Sequence, residues 1–197
     1  MNDKTRKIAI VGVMSALASV LMMLDFPIGL VPGFIKFDFS DVPALMTAFA
    51  LGPAWGCIVS LIKNLVNVVV TQSAGIGELS NLAMSVSLVL PAGLAYKYLP
   101  RKKGSLVISS VIGTACMAAI SVPVNYFVVF PFYSAAYGMP IEVIIGAFEA
   151  LYAPVDNLLK VILIVMVPFN LFKGAVATAL GAIIYNRLNP IIFKKNS

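Results

Sequence analysis

The chain has 197 residues, 60% of them hydrophobic and only 11% charged, where an average soluble domain carries about 25% charge. This excludes a soluble fold and reads as a single integral membrane domain over residues 1–197, with room for about six helices at about 20 residues per crossing. The net charge of +6 sits on Lys and Arg at the ends of apolar stretches, which marks membrane topology and not a nucleic-acid surface.

There is no His, which removes the commonest general base and the Ser-His-Asp triad. No catalytic residue is expected, and the chain is not read as an enzyme. Cys57 and Cys116 lie inside apolar runs, where free Cys behaves as a small hydrophobe. Neither a disulfide framework nor a metal site is expected, and no cofactor is implied. A Gly-rich phosphate loop ending in Lys-Ser or Lys-Thr is missing too, so a pump driven by ATP would need another subunit.

In chain order, Lys4, Arg6 and Lys7 precede an apolar stretch from Ile8 to Leu24, the first predicted helix. Its Ala16-Leu17-Ala18 triplet mimics a signal-peptide cleavage site, but the apolar run continues past it and membrane-like sequence follows, so the segment is read as retained. From Asp25 to Asp41 the chain mixes Pro, Gly and Phe with Lys36 and Asp38 and is predicted to be a structured loop. Asp41-Val42-Pro43 opens a second helix that runs only to about Leu51, too short to cross upright unless the loop dips into the protein. Gly52-Pro53 breaks it, and a third helix covers about Ala54 to Val70.

A second loop carries Glu78, and a fourth helix follows from about Leu79 to Leu99. Pro100 to Gly104 is a basic turn through Arg101, Lys102 and Lys103. The fifth helix spans about Leu106 to Phe130. Pro131 to Asp156 is less regular, a loop with a short amphipathic helix. The apolar stretches Leu158–Val167 and Phe169–Tyr185 flank Pro168, which leaves the start of helix 6 open. Arg187, Lys194 and Lys195 close the chain.

Cytoplasmic flanks carry excess Lys and Arg, so the basic start, the 101–103 turn and the tail belong on the inside. The expected fold is an all-α membrane protein with six transmembrane helices, a structured outer loop between helices 1 and 2, and both termini cytoplasmic. Every acidic residue except Asp3 then falls outside or at that rim. No internal repeat is visible, which argues against transporters built from inverted duplicates.

Ionisable groups within spans are expensive and are functional candidates by default. Lys63, Lys160 and Lys173 qualify, each with Asn nearby: Asn64 and Asn67, Asn157, and Asn170. Asn157/Lys160 and Asn170/Lys173 are spaced i, i+3, which puts amide and ammonium on one helix face. Such a face suits a neutral heterocycle with carbonyls and ring N–H groups. The alternative use of these lysines is snorkelling to the interface or pairing with Glu78 and Asp156. Asn125-Tyr126 and Tyr133 add an amide and aromatic rings, and Phe34, Phe37 and Phe39 in the first outer loop would cover a bound ligand. On helix 1, Gly12/Ala16 and Ser15/Ser19 are small residues four apart, spacing that lets another helix approach closely.

Taken in order, Lys36-Phe37-Asp38-Phe39-Ser40-Asp41-Val42-Pro43-Ala44-Leu45, Gly52-Pro53 with Lys63-Asn64, Gly77-Glu78-Leu79-Ser80-Asn81, Asn125-Tyr126 with Pro131, and Pro168-Phe169-Asn170-Leu171-Phe172-Lys173-Gly174 resemble the riboflavin-specific S components of energy-coupling factor (ECF) vitamin transporters. The resemblance runs from residue 36 to 174. It implies a six-helix subunit in the lipid bilayer that captures riboflavin outside with high affinity and delivers it by joining a transmembrane T component and two cytoplasmic ATPases. It further implies a substrate site near the outer surface, for which Asn125, Tyr126, Asn157, Lys160, Asn170 and Lys173 are the candidates, with Lys36, Phe37 and Asp38 from the loop. Small residues on helix 1 would form the docking face, to which Gly12, Ser15, Ala16 and Ser19 are assigned, although an Ala-x-x-x-Ala version is absent.

The alternative is a self-sufficient secondary transporter or channel for a small neutral solute. Coupling-ion sites of secondary transporters tend to use intramembrane Asp or Glu, which the spans lack, and a channel would need polar groups along a through-path. A membrane enzyme would need an acid/base pair, which the spans also lack.

Overall fold

The computed structural model describes residues 2–71, 73, 75–100 and 104–188. The basic turn at Arg101–Lys103 and the tail lysines Lys194 and Lys195 lie outside the described residues. Among those described there are seven helices: α1 Asp3–Met23, α2 Asp41–Leu51, α3 Pro53–Val68, α4 Ile76–Tyr98, α5 Ser105–Tyr137, α6 Ile141–Glu149 and α7 Leu158–Arg187. Four of them, α1, α4, α5 and α7, are long and apolar enough to cross a membrane, so the chain is an all-α, multi-pass membrane protein.

The short helix α2 is the centre of the molecule. Every residue from Asp41 to Phe49 is buried, as expected of a helix that is apolar all round, and α1, α3, α4 and α7 pack about it. Close approach depends on glycine: a Cβ on Gly56 would lie 2.6 Å from Ala48 Cβ and 2.8 Å from the Ala44 carbonyl oxygen. A Cβ on Gly113 would lie 2.5 Å from the Leu88 carbonyl oxygen, which fixes α5 against α4. At the end of the bundle away from the 25–40 loop, Phe49, Tyr96 and Tyr185 meet edge to face.

One predicted helix boundary is corrected, and the open start of the last helix falls at Leu158. Pro131 does not end the fifth helix, which continues to Tyr137, and Pro168 does not interrupt the last one. Each proline is preceded by a π turn, Asn125–Val129 and Val161–Met166, closed by Phe130 N–H to the Asn125 carbonyl and Val167 N–H to the Ile162 carbonyl. Proline lacks an N–H and clashes with the carbonyl four residues back; widening the turn just before it moves that carbonyl aside and lets the helix run on. The two widened turns lie on neighbouring helices, at the level of the cavity described below.

The 25–40 loop does dip into the protein, with Phe37, Asp38 and Ser40 buried. It is pinned by reciprocal backbone hydrogen bonds between Phe26 and Phe37 of 3.0 and 2.9 Å, by Lys36 donating to Asp25 at 3.0 Å, and by Tyr152 Oη donating to the Leu30 carbonyl at 2.9 Å.

Candidate functional site

Beneath this loop lies a cavity of about 650 Å³ of atom-free space, part of it open to solvent. Its wall is built by the start of α4 (Gly77, Ser80, Asn81, Met84), the π turn of α5 and the turn after it (Asn125, Val129, Phe130, Tyr133), the middle of α7 (Met166, Phe169, Asn170, Lys173) and the loop (Phe34, Ile35, Lys36). Apolar walls with a few convergent polar groups are the ordinary attributes of a small-molecule site.

Four ionisable groups stand behind it. Lys173 Nζ donates to Asp38 Oδ2 at 2.8 Å and is 3.9 Å from Asp41 Oδ2. Lys63, which is 0% exposed, donates to Asp41 Oδ1 at 2.6 Å and to Ser40 Oγ at 2.5 Å. Asp38 also accepts from the Ser40 N–H at 2.8 Å, from the Ser40 hydroxyl, and from Asn81 Nδ2 at 3.2 Å. Two cations and two anions thus balance inside the protein, which is the condition for burying charge at all. Burial alone would push the Asp38 carboxyl upward; the ammonium groups of Lys173 and Lys63 outweigh it and hold Asp38 well below the usual carboxylate range, so it is ionised.

The amides behave differently. Asn125 Nδ2 donates to the Ser121 carbonyl of its own helix at 2.7 Å, and its Oδ1, fully buried, has no partner among the described residues; nor does Asn81 Oδ1. Both residues line the cavity, unlike Asn64, whose Oδ1 also lacks a partner among the described residues, so these two are placed to accept from a ligand that offers N–H or O–H groups. Asn170 Nδ2 donates to the Met166 carbonyl at 2.9 Å.

The structure therefore brings together Asn125, Asn170, Lys173, Lys36 and Asp38 of the predicted residues. It does not bring in the others. Asn157 and Lys160 sit at the exposed start of α7, where Asn157 caps the helix by accepting from Lys160 N–H at 2.9 Å and Lys160 pairs with Asp156 at 2.5 Å, the outcome foreseen as their alternative use. Tyr126 is turned outward beside Phe127, because neighbours on a helix are about 100° apart and Asn125 already faces in. Phe37 is buried under the loop against Phe39 and Phe172; the loop aromatic that reaches the cavity is Phe34, 6.0 Å from Tyr133. Lys63 does not pair with Glu78 but with Asp41.

Asn81 was not singled out as a site residue, Phe34 only as one of three loop aromatics that would cover a ligand, and Tyr133 only as a nearby aromatic. Asn81 had a readable signal: an amide inside an apolar helix, one turn after Glu78. On α1, Ser15 and Ser19 are buried, and the Ser19 carbonyl accepts from Asn67 Nδ2 of α3 at 3.4 Å. They are taken up by packing within the chain, while Gly12 and Ala16 are exposed, with nothing within 4 Å of a Cβ at Gly12.

The family model for the substrate-specific component of ECF transporters matches residues 6–185. The chain belongs to this family. Among curated proteins, the S component described here is 33% identical over 187 residues to the riboflavin transporter RibU of Staphylococcus aureus, covering 94% of this chain and 92% of that one. It is 33% identical over 198 residues to the riboflavin transporter FmnP of Bacillus subtilis, with 98% and 97% covered. A solved chain from work on the structure and mechanism of the S component of a bacterial ECF transporter superposes with a TM-score of 0.71 at 29% identity, covering 98% of this chain and 100% of that one.

Proposed function

We propose that this S component binds riboflavin in the cavity beneath the 25–40 loop and hands it inward within a complex containing a T component and two ATPases. The observation that carries the reading is the pair of orphaned acceptors, Asn125 Oδ1 and Asn81 Oδ1, in a cavity that also holds the Lys173 ammonium. Riboflavin's pyrimidine edge carries an imide N–H between two carbonyl oxygens and its ribityl chain carries hydroxyls, so it supplies both the donors the amides lack and acceptors for Lys173. Phe34, Phe130, Tyr133 and Phe169 offer walls for the flat ring. The names of the relatives support the same ligand.

In this reading α1 to α5 and α7 are the six spans, with the paired α2 and α3 among them, both termini are cytoplasmic and the loop faces outward. The exposed Gly12 and Ala16 give α1 a smooth face for close approach by a helix of the T component. The test is uptake into vesicles. The chain reconstituted alone leaves the lumen without riboflavin, and addition of the T component and both ATPases with ATP gives accumulation. Uptake by the lone chain on a proton or sodium gradient would favour a secondary transporter and overturn the proposal.

A further inference from the structure

A second space on the loop side, with about 880 Å³ free of atoms and again partly open to solvent, shares Asn81, Phe34 and Tyr133 of its lining with the ligand cavity. The charges around these two spaces do not cancel. Lys173 is matched by Asp38 at 2.8 Å and Lys36 by Asp25 at 3.0 Å, and behind them Lys63 is matched by Asp41 at 2.6 Å. Glu78, which lines the outer space, accepts from the hydroxyls of Thr71 at 2.8 Å and Ser73 at 2.9 Å and has no ion-pair partner among the described residues. Every cation that faces the route is already neutralised, and one carboxylate is left over.

We infer that this vestibule is a charge filter: it accepts the uncharged flavin and disfavours the same flavin carrying a terminal phosphate. The inference rests on the proposed riboflavin site. With the ring between the apolar walls and its N–H at Asn125, the ribityl chain leads out past Asn81 toward Glu78. Hydroxyls of a neutral polyol can donate to the lone pairs of Glu78 that Thr71 and Ser73 leave free. A phosphate monoester brings a charge of about −1.5 to −2 at neutral pH to a place where no unpaired cation waits and a carboxylate repels it. At the reduced effective dielectric of such a site, repulsion between like charges at close range weakens binding by about tenfold or more.

The experiment titrates the purified full chain in detergent with riboflavin and with its 5′-phosphate, FMN, by quenching of flavin fluorescence, and reads the ratio of the two dissociation constants. The ratio in the parent is expected to be at least about tenfold in favour of riboflavin and to fall by about tenfold in Glu78→Gln, whose amide oxygen can still accept from Thr71 and Ser73. Glu149→Gln, an exposed carboxylate on α6 outside both cavities, leaves the ratio as it is. A parent that binds both flavins equally, or a Glu78→Gln protein with the parent's ratio, overturns the filter and leaves the riboflavin site standing. A parent that binds neither flavin overturns the site itself and the filter with it. Should Glu78→Gln fail to fold, the parent's salt dependence decides: a ratio that falls as salt rises from about 0.05 to 0.5 M supports the filter, and a flat ratio overturns it.

Discussion

Asn125→Leu separates ligand recognition from folding, because the two respond with opposite sign. The side chain is fully buried and its Oδ1 has no partner among the described residues. Leucine has the same branched skeleton and is bulkier, with the adjoining cavity to take the difference, so it removes an orphaned acceptor without opening a void, and an unsatisfied buried polar group costs about 1–3 kcal/mol. The bond lost, from Asn125 Nδ2 to the Ser121 carbonyl, returns about 0.5–1.5 kcal/mol of that. The free variant should therefore melt no lower than the parent. In the complex, an N–H of riboflavin is left buried and unpaired, at a cost of about 1–3 kcal/mol, which weakens binding about 5- to 150-fold. Thermal unfolding of the free protein and flavin fluorescence titration measure the two halves. A variant that binds riboflavin like the parent would show that Asn125 does not face the ligand; one that melts well below the parent would show that its amide is structural.

Lys63→Met should do the opposite. It strands Asp41 in the core, and breaking a buried pair costs about 3–5 kcal/mol, or about 6–20 °C of melting temperature for a chain of this size; adding Asp41→Asn should recover a large part of the loss, and strictly additive losses would deny the pairing. Lys173→Met acts on both ligand and fold, since it removes a donor at the cavity and leaves Asp38 unpaired, so riboflavin binding and melting temperature should fall together, and Lys173→Met/Asp38→Asn should restore the melting temperature but not the affinity. Because Asp38 is held below its ordinary value of 3.8, its contribution to stability is fully present above that value and is lost as pH falls beneath it toward the folded-state value. Melting temperature should accordingly be level from about pH 8 to pH 5 for this group, and a parent that loses a step of stability above pH 5 which Asp38→Asn lacks would contradict the assignment. Gly12→Leu and Ala16→Leu should leave riboflavin binding by the isolated chain near that of the parent and abolish ATP-driven uptake in the reconstituted complex; equal loss of binding would mean that this face of α1 packs within the subunit.

The helices were readable because of local punctuation: Asp41-Val42-Pro43 and Gly52-Pro53 mark helix boundaries through the φ restrictions of proline and the freedom of glycine, and Pro100 and Gly104 lie between the end of α4 and the start of α5. Pro131 misled the same reasoning and Pro168 left it undecided, since a π turn is a tertiary accommodation with no sequence pattern of its own. The lysines and amides of the cavity were legible as expensive groups in apolar helices. Their partners were not: Lys173 and Asp38 are 135 residues apart, and Lys63 and Asp41 are 22 apart across a helix break, so no periodicity links them. The assigned residues that do not reach the cavity follow from the same gap. Asn157 and Lys160 have the i, i+3 spacing of Asn170 and Lys173, but spacing fixes a shared face and not what that face meets; one pair caps an exposed helix end and the other faces the cavity.

The central claim is that this chain alone, without partners, holds one riboflavin in the cavity under the loop. It is tested most directly by titrating the purified protein, stripped of flavin in detergent, with riboflavin and following fluorescence. The account predicts quenching that saturates at one riboflavin per chain and is weakened in Asn125→Leu; absence of saturable quenching by the folded, monodisperse parent would contradict it.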